Sequence, residues 1–204
     1  MELFADEVRA LEQTVREQPA GSVVFYGSST IRRWTHLDED FPQTHVLNLG
    51  FGGSTLAACA WYFERLVVPA RPRAVVLYAG DNDLGEDRQP EEVYLFFCAL
   101  ADKLLRHLPG VPLTFVAIKP SPARWSIVKQ IRAANAAIAK EIERLPNAQF
   151  IDLSPPMLNE QGEPRRELYE EDGLHLTPAG YAFWREQLTE RCPALHEQEV
   201  PSGS

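Results

Sequence analysis

A chain of 204 residues with 45% hydrophobic content can bury one core of ordinary size, so residues 1–195 are read as a single domain. A net charge of −9 provides no basic field to concentrate nucleic acid or bind an anionic membrane, which excludes those partners. No apolar run approaches the ~20 residues of a spanning helix, and Met1-Glu2-Leu3-Phe4 lacks the basic and apolar parts of a signal peptide, so a cytoplasmic protein is expected.

In chain order, Phe4, Val8, Leu11 and Val15 recur at helical spacing and predict an amphipathic helix that stops before Pro19. Val23-Val24-Phe25-Tyr26 is then a short apolar run closed by Gly27. Similar runs stand at Val46-Leu47-Asn48-Leu49, Ala74–Tyr78, Leu113–Ile118 and Gln149–Asp152. None alternates strictly, as expected of strands covered on both faces of a parallel sheet.

Helices are predicted between them, from Leu56 to Leu66, Glu91 to Leu108 and Val128 to Leu145. A last helix begins at Thr177-Pro178, with Thr as N-cap and Pro at the first helical position. Repeated strand–helix alternation implies an α/β domain of three layers with right-handed crossovers. The polar residues 196–204 read as a frayed tail. Cys59, Cys98 and Cys192 are scattered, with no CxxC pair, and read as free thiols rather than zinc ligands or a redox pair.

Ligands of such sheets bind beyond the carboxyl ends of the strands. The segments after the first three strands, Gly27-Ser28-Ser29-Thr30, Gly50-Phe51-Gly52-Gly53-Ser54 and Gly80-Asp81-Asn82-Asp83, are small and polar and should open on one rim. Ser29 would sit at a helix N-terminus, where N–H groups stabilise negative charge, but its hydroxyl needs a base to become a nucleophile. Taken alone, this serine is more readily a helix cap. His175, just before the last helix, is the candidate base, and Asp172 across a glycine-containing turn is its candidate orienter. His36, His45, His107 and His196 lack such an arrangement. Gly53 and Asn82 are candidate oxyanion donors, the first through its backbone N–H and the second through its side chain. The spacing fits neither the Gly-x-Ser-x-Gly elbow of α/β-hydrolases nor a nucleotide fingerprint.

Together these segments resemble the SGNH (GDSL-like) hydrolase family over roughly residues 20–190. Its blocks stand here as Gly27-Ser28-Ser29, Asn48-x-Gly50-x-x-Gly53, Gly80-x-Asn82-Asp83 and Asp172-x-x-His175, in the family's order and separation. The resemblance implies a flavodoxin-like α/β/α fold with five parallel strands, and neither metal nor organic cofactor. It makes Ser29 the nucleophile, Ser29, Gly53 and Asn82 the oxyanion hole, and Asp172 and His175 the rest of a triad. One position departs from the family pattern: Ser28 stands where the family has aspartate.

The expected reaction is hydrolysis of short-acyl carboxylic esters through an acyl-serine, since no apolar lid or membrane-docking segment is present. Trp34, Phe51 and Trp125 are candidates to line the substrate pocket, with plain packing as their alternative. Aromatic walls with polar groups would suit O-acetyl groups on a carbohydrate. Lys119 and Arg124 are candidates to meet a polar leaving group, although a loop charge is usually solvated. Two further readings stay open: a thioesterase or lysophospholipase with the same triad, and a non-catalytic flavodoxin-like binding module.

Overall fold

The computed structural model describes residues 4–196. Five parallel strands form one sheet in the order β2-β1-β3-β4-β5. They are β1 (Val23–Gly27), β2 (Val46–Gly50), β3 (Ala74–Tyr78), β4 (Leu113–Val116) and β5 (Ala148–Ile151). The helices are α1 (Ala5–Glu17), α2 (Ser29–Arg32), α3 (Leu37–Asp40), α4 (Leu56–Ala70), α5 (Asp81–Gly85), α6 (Pro90–His107), α7 (Val128–Ile142) and α8 (Pro178–Arg191).

Side-chain alternation along the strands divides the core into two layers. Val24, Tyr26, Val75, Leu77 and Phe115 pack under α1, α4, α6 and α7. Val23, Phe25, Val76, Tyr78 and Val116 pack under α2, α3 and α8, whose Ile31, Leu37, Trp184 and Leu188 fill that side. Every residue of β1 and β3 is buried, which explains their unbroken apolar runs, while the edge strands β2 and β5 carry the half-buried polar residues Asn48 and Gln149. Each fully buried Val, Leu or Phe side chain contributes about 1.5–3 kcal/mol to this sandwich. Cys59 and Cys192 are buried free thiols, and Cys98 is half-buried.

The boundaries depart from the sequence reading where side chains intervene. The fourth strand stops at Val116 rather than Ile118, because the Asn135 side chain on α7 takes over both the N–H and the carbonyl of Ile118 at 2.9 Å each. The fifth strand spans Ala148–Ile151 rather than Gln149–Asp152, and the Asp152 carboxylate instead accepts from the Ser154 N–H. α4 runs four residues past Leu66, taking Pro69 into its last turn before Arg71 turns left-handed at φ 45°. α6 is Pro90–His107 and α7 ends at Ile142 rather than Leu145. Thr177 caps α8 as expected, accepting from the Gly180 N–H at 3.1 Å. Of the segment read as a frayed tail, His196 donates to the Thr189 carbonyl and residues 197–204 lie outside the described residues.

Candidate active site

The carboxyl ends of β1, β2 and β3 deliver three turns to one rim. At the first, Gly27 has φ 146°, and a Cβ there would lie 1.8 Å from the Tyr78 carbonyl oxygen. Only glycine lets β1 end this close to β3. Ser28 follows with its side chain buried (0% exposed) and its Oγ without a partner, whereas Ser29 is half-buried at the first position of α2. Ser29 Oγ lies 3.0 Å from His175 Nε2. The hydroxyl that meets His175 is therefore that of Ser29.

His175 and Asp172 come from much farther along the chain, on a short hairpin after β5. Tyr169 and Leu176 bridge antiparallel, and the Glu170 N–H donates to the His175 carbonyl at 2.8 Å. Arg166 braces this hairpin by donating to the carbonyls of Tyr169, Glu170 and Glu171, and the Tyr169 hydroxyl donates to the Pro120 carbonyl. Asp172 Oδ2 is 2.6 Å from His175 Nδ1, and Asp172 Oδ1 accepts from the N–H groups of Leu174 and His175 at 2.8 and 3.0 Å. Burial opposes the charged form of Asp172. The hydrogen bonds from the His175 ring and the two backbone N–H groups outweigh it and hold the carboxyl well below the usual carboxylate range. An ionised carboxylate only accepts, so the hydrogen-bond pattern puts the imidazole proton on Nδ1 and leaves Nε2 to accept from Ser29.

The expected oxyanion donors also converge. Gly53 has φ 67° with open space beyond its Cα, so glycine is needed there for backbone conformation rather than for room. Its N–H makes no hydrogen bond among the described residues, and neither does that of Ser29 at the helix start. Asn82 Nδ2 spends one hydrogen on the Ser54 carbonyl at 3.0 Å, which orients the amide and leaves its second N–H. Asp83 fastens the same loop, its carboxylate accepting from Leu56 and Ala57 at 2.7 and 3.3 Å at the start of α4. Burial pushes the Asp83 pKa up to about 6 despite these bonds. From the other side, Glu7 of α1 accepts from the Gly52 N–H at 2.8 Å and pairs with Arg32 at 3.1 Å. Asn48 Nδ2 donates to the Ile31 carbonyl at 2.7 Å and fixes the end of α2.

Three expectations change. Trp34 (2% exposed) packs among Phe25, Phe41, Tyr181 and Trp184, and Phe51 (0%) packs among Phe4, Tyr26 and Tyr62. Both rings are packed in the core, the alternative named for them, whereas Trp125 remains half-buried on the 3₁₀ turn Pro122–Ile127. Lys119 is neither solvated nor a leaving-group contact. It is 1% exposed, and its Nζ donates to Tyr78 at 2.9 Å, Thr30 at 3.2 Å and Asp81 at 3.4 Å. Burial pushes the Lys119 pKa down, and the Asp81 carboxylate pulls it back up. This cation ties the residue after Ser29 to the residue before Asn82.

Glu170, Asp172 and His175 bring ligand atoms within 4.8 Å of one another. Glu170 is paired with Arg33 at 2.9 Å and Asp172 with His175, so these groups hold one another in the hydrogen-bonded set. Among the described residues no helix is long and apolar enough to cross a membrane.

No curated protein matches the chain by sequence. Among solved structures, one of a Streptococcus pneumonia protein provisionally described as a platelet activating factor superposes with a TM-score of 0.81 at 18% identity, covering 96% of this chain and 95% of that one. A GDSL-like lipase from Bacteroides thetaiotaomicron gives 0.72 at 23% identity over 93% and 95%. A family 3 carbohydrate esterase from Clostridium thermocellum gives 0.69 at 18% over 84% and 94%. At these identities the likeness concerns the fold, which is the flavodoxin-like sandwich that the block pattern implied. The profile of the GDSL-like lipase/acylhydrolase family matches residues 19–183, more than half of the sequence, and the chain therefore belongs to that family of ester hydrolases.

Proposed function

We propose that the protein is a serine esterase that hydrolyses short-acyl carboxylic esters through an acyl-Ser29 intermediate. The observation that carries this reading is the continuous hydrogen-bonded line from Ser29 Oγ through His175 to Asp172, at 3.0 and 2.6 Å. Ser29 Oγ attacks the ester carbonyl while His175 Nε2 takes its proton, and Asp172 stabilises the imidazolium. The developing oxyanion is met by the N–H groups of Ser29 and Gly53 and the remaining Asn82 N–H. His175 then gives its proton to the departing alcohol. In the second half, His175 removes a proton from water, the hydroxide attacks the acyl carbonyl, and the proton returns to Ser29. Acid–base work of this kind is worth roughly 100–10,000-fold in rate.

O-Acetyl groups on carbohydrates are one substrate class of this reading, supported by the half-buried Trp125 on the rim and by the fold shared with the carbohydrate esterase. The first test is labelling with a fluorophosphonate probe and mapping of the labelled residue. Wild type and Ser28→Ala should label at residue 29, and Ser29→Ala should not. An unlabelled wild type would return the protein to the binding-module reading. In parallel, 4-nitrophenyl esters of increasing length should show the highest kcat/KM at two to four carbons, and a preference for ten or more would sink the short-acyl assignment.

A further inference from the structure

Arg124 stands on the 3₁₀ turn after β4, between the helix that carries Asn82 and the hairpin that carries Asp172 and His175. On one side its guanidinium lies against Gly85 of α5, where a Cβ would fall 2.4 Å from Cζ and 2.5 Å from one terminal nitrogen. Any side chain at residue 85 would displace it. On the other side the neighbouring Ala123 N–H donates to the Gly173 carbonyl at 3.0 Å, and a Cβ on Gly173 would touch Pro122 and Ala123. The turn is thus tied to the hairpin of Asp172 and His175 through Ala123, and the Arg124 guanidinium lies against Gly85 of α5.

What it lacks is a counter-charge. Its Nε is buried without a hydrogen-bond partner, and its terminal nitrogens make no hydrogen bond or ion pair among the described residues. Three carboxylates of this rim are already committed. Asp81 serves Lys119, Tyr78 and the Asn82 N–H, while Asp172 serves His175 and two backbone N–H groups. Glu170 is paired with Arg33. The structure gives this half-buried guanidinium no counter-charge, and its planar fork matches a carboxylate.

We propose that Arg124 is a specificity-determining residue that binds a carboxylate carried by the ester substrate. The inference rests on the esterase reading above and adds to it the class of substrate: esters bearing an acidic group on the acyl or the alcohol side.

Two pairs of esters test it. On the alcohol side, 4-acetoxybenzoate is compared with the neutral 4-acetoxybenzamide. On the acyl side, mono-4-nitrophenyl adipate is compared with 4-nitrophenyl hexanoate. In at least one pair, wild type should favour the carboxylate ester by about tenfold in kcat/KM, the size expected of one charge-assisted contact. The pair that responds identifies the side. In Arg124→Gln that ratio should fall to about one, and Arg124→Lys should keep part of it. A purely structural loss would scale both members of a pair alike and leave the ratio unchanged, which would overturn the proposal. So would a wild-type ratio of one or less in both pairs. Failure here is separable from failure of the esterase reading, because Ser29 labelling and turnover of the neutral esters report on that reading alone.

Discussion

The two sides of the candidate site are built on opposite plans. Ser29, Gly53 and Asn82 each stand two to four residues after a parallel strand, and beneath them lies a buried polar knot of Lys119, Asp81, Tyr78 and Thr30. His175 and Asp172 instead arrive on a hairpin reached by the irregular residues 152–168, with side chains 20% and 45% exposed. One side is fixed by strand ends and desolvated charge. The other is fixed by many backbone hydrogen bonds, three of them from Arg166 to consecutive carbonyls. In the proposed reaction the nucleophile and oxyanion donors must keep sub-ångström relations to each other, which suits a rigid sheet edge. The proposed base must accept and release a proton and meet water, which suits a partly open position.

The sharpest challenge to this comparison lies on the exposed side. Asp172→Asn should lower kcat by about 10,000-fold, because an amide at that place can stabilise the wrong imidazole tautomer and no imidazolium. Its thermal stability should change little, since the pair it breaks is partly solvated. Steady-state kinetics with calorimetry will show both, and a large fall in Tm with retained kcat would reverse the assignment of roles. On the buried side the effects should be exchanged. Lys119→Met leaves Asp81 unpaired in the interior and should cost about 3–5 kcal/mol in denaturant unfolding. Adding Asp81→Asn should recover part of that loss, and an unchanged midpoint in the single variant would show that the knot is not structural.

The smallest effect concerns pH. The Asp83 pKa is raised to about 6 in the fold and lower in the unfolded chain, so the native state holds more protons between pH 4 and pH 6. Its contribution is therefore fully present at low pH and is lost as pH rises through about 6. Asp83→Asn should flatten this slope, which amounts to on the order of 2 kcal/mol, as measured by urea midpoints across that range. A wild-type midpoint that rises from pH 4 to pH 6, with the same slope in the variant, would contradict it.

The same division explains what could be read from the sequence. Ser29, Gly53 and Asn82 were legible because a parallel sheet puts every strand's exit on one rim, so motif and place coincide. His175 and Asp172 were legible only as a motif, since nothing in residues 152–168 reveals how the hairpin folds back. Trp34 and Phe51 lie in the core, the alternative left open for them, because closeness to the rim along the chain says nothing about which way a ring points. Lys119 was misread by charge type. A lysine after a strand is usually in water, and only the tertiary partners Thr30, Tyr78 and Asp81 keep it inside.

The bond from Glu7 to the Gly52 N–H sets a limit on where the enzyme can be cut. The family profile begins at residue 19, yet α1 lies before that point and holds the turn that presents Gly53. Val8 on the same helix is fully buried against the sandwich. A minimal fragment drawn at the profile's edge would keep every motif and still leave the Gly52–Gly53 turn without its outer support. Homology marks the shared catalytic sequence, whereas the cooperative unit that keeps the turn in shape starts earlier in this chain.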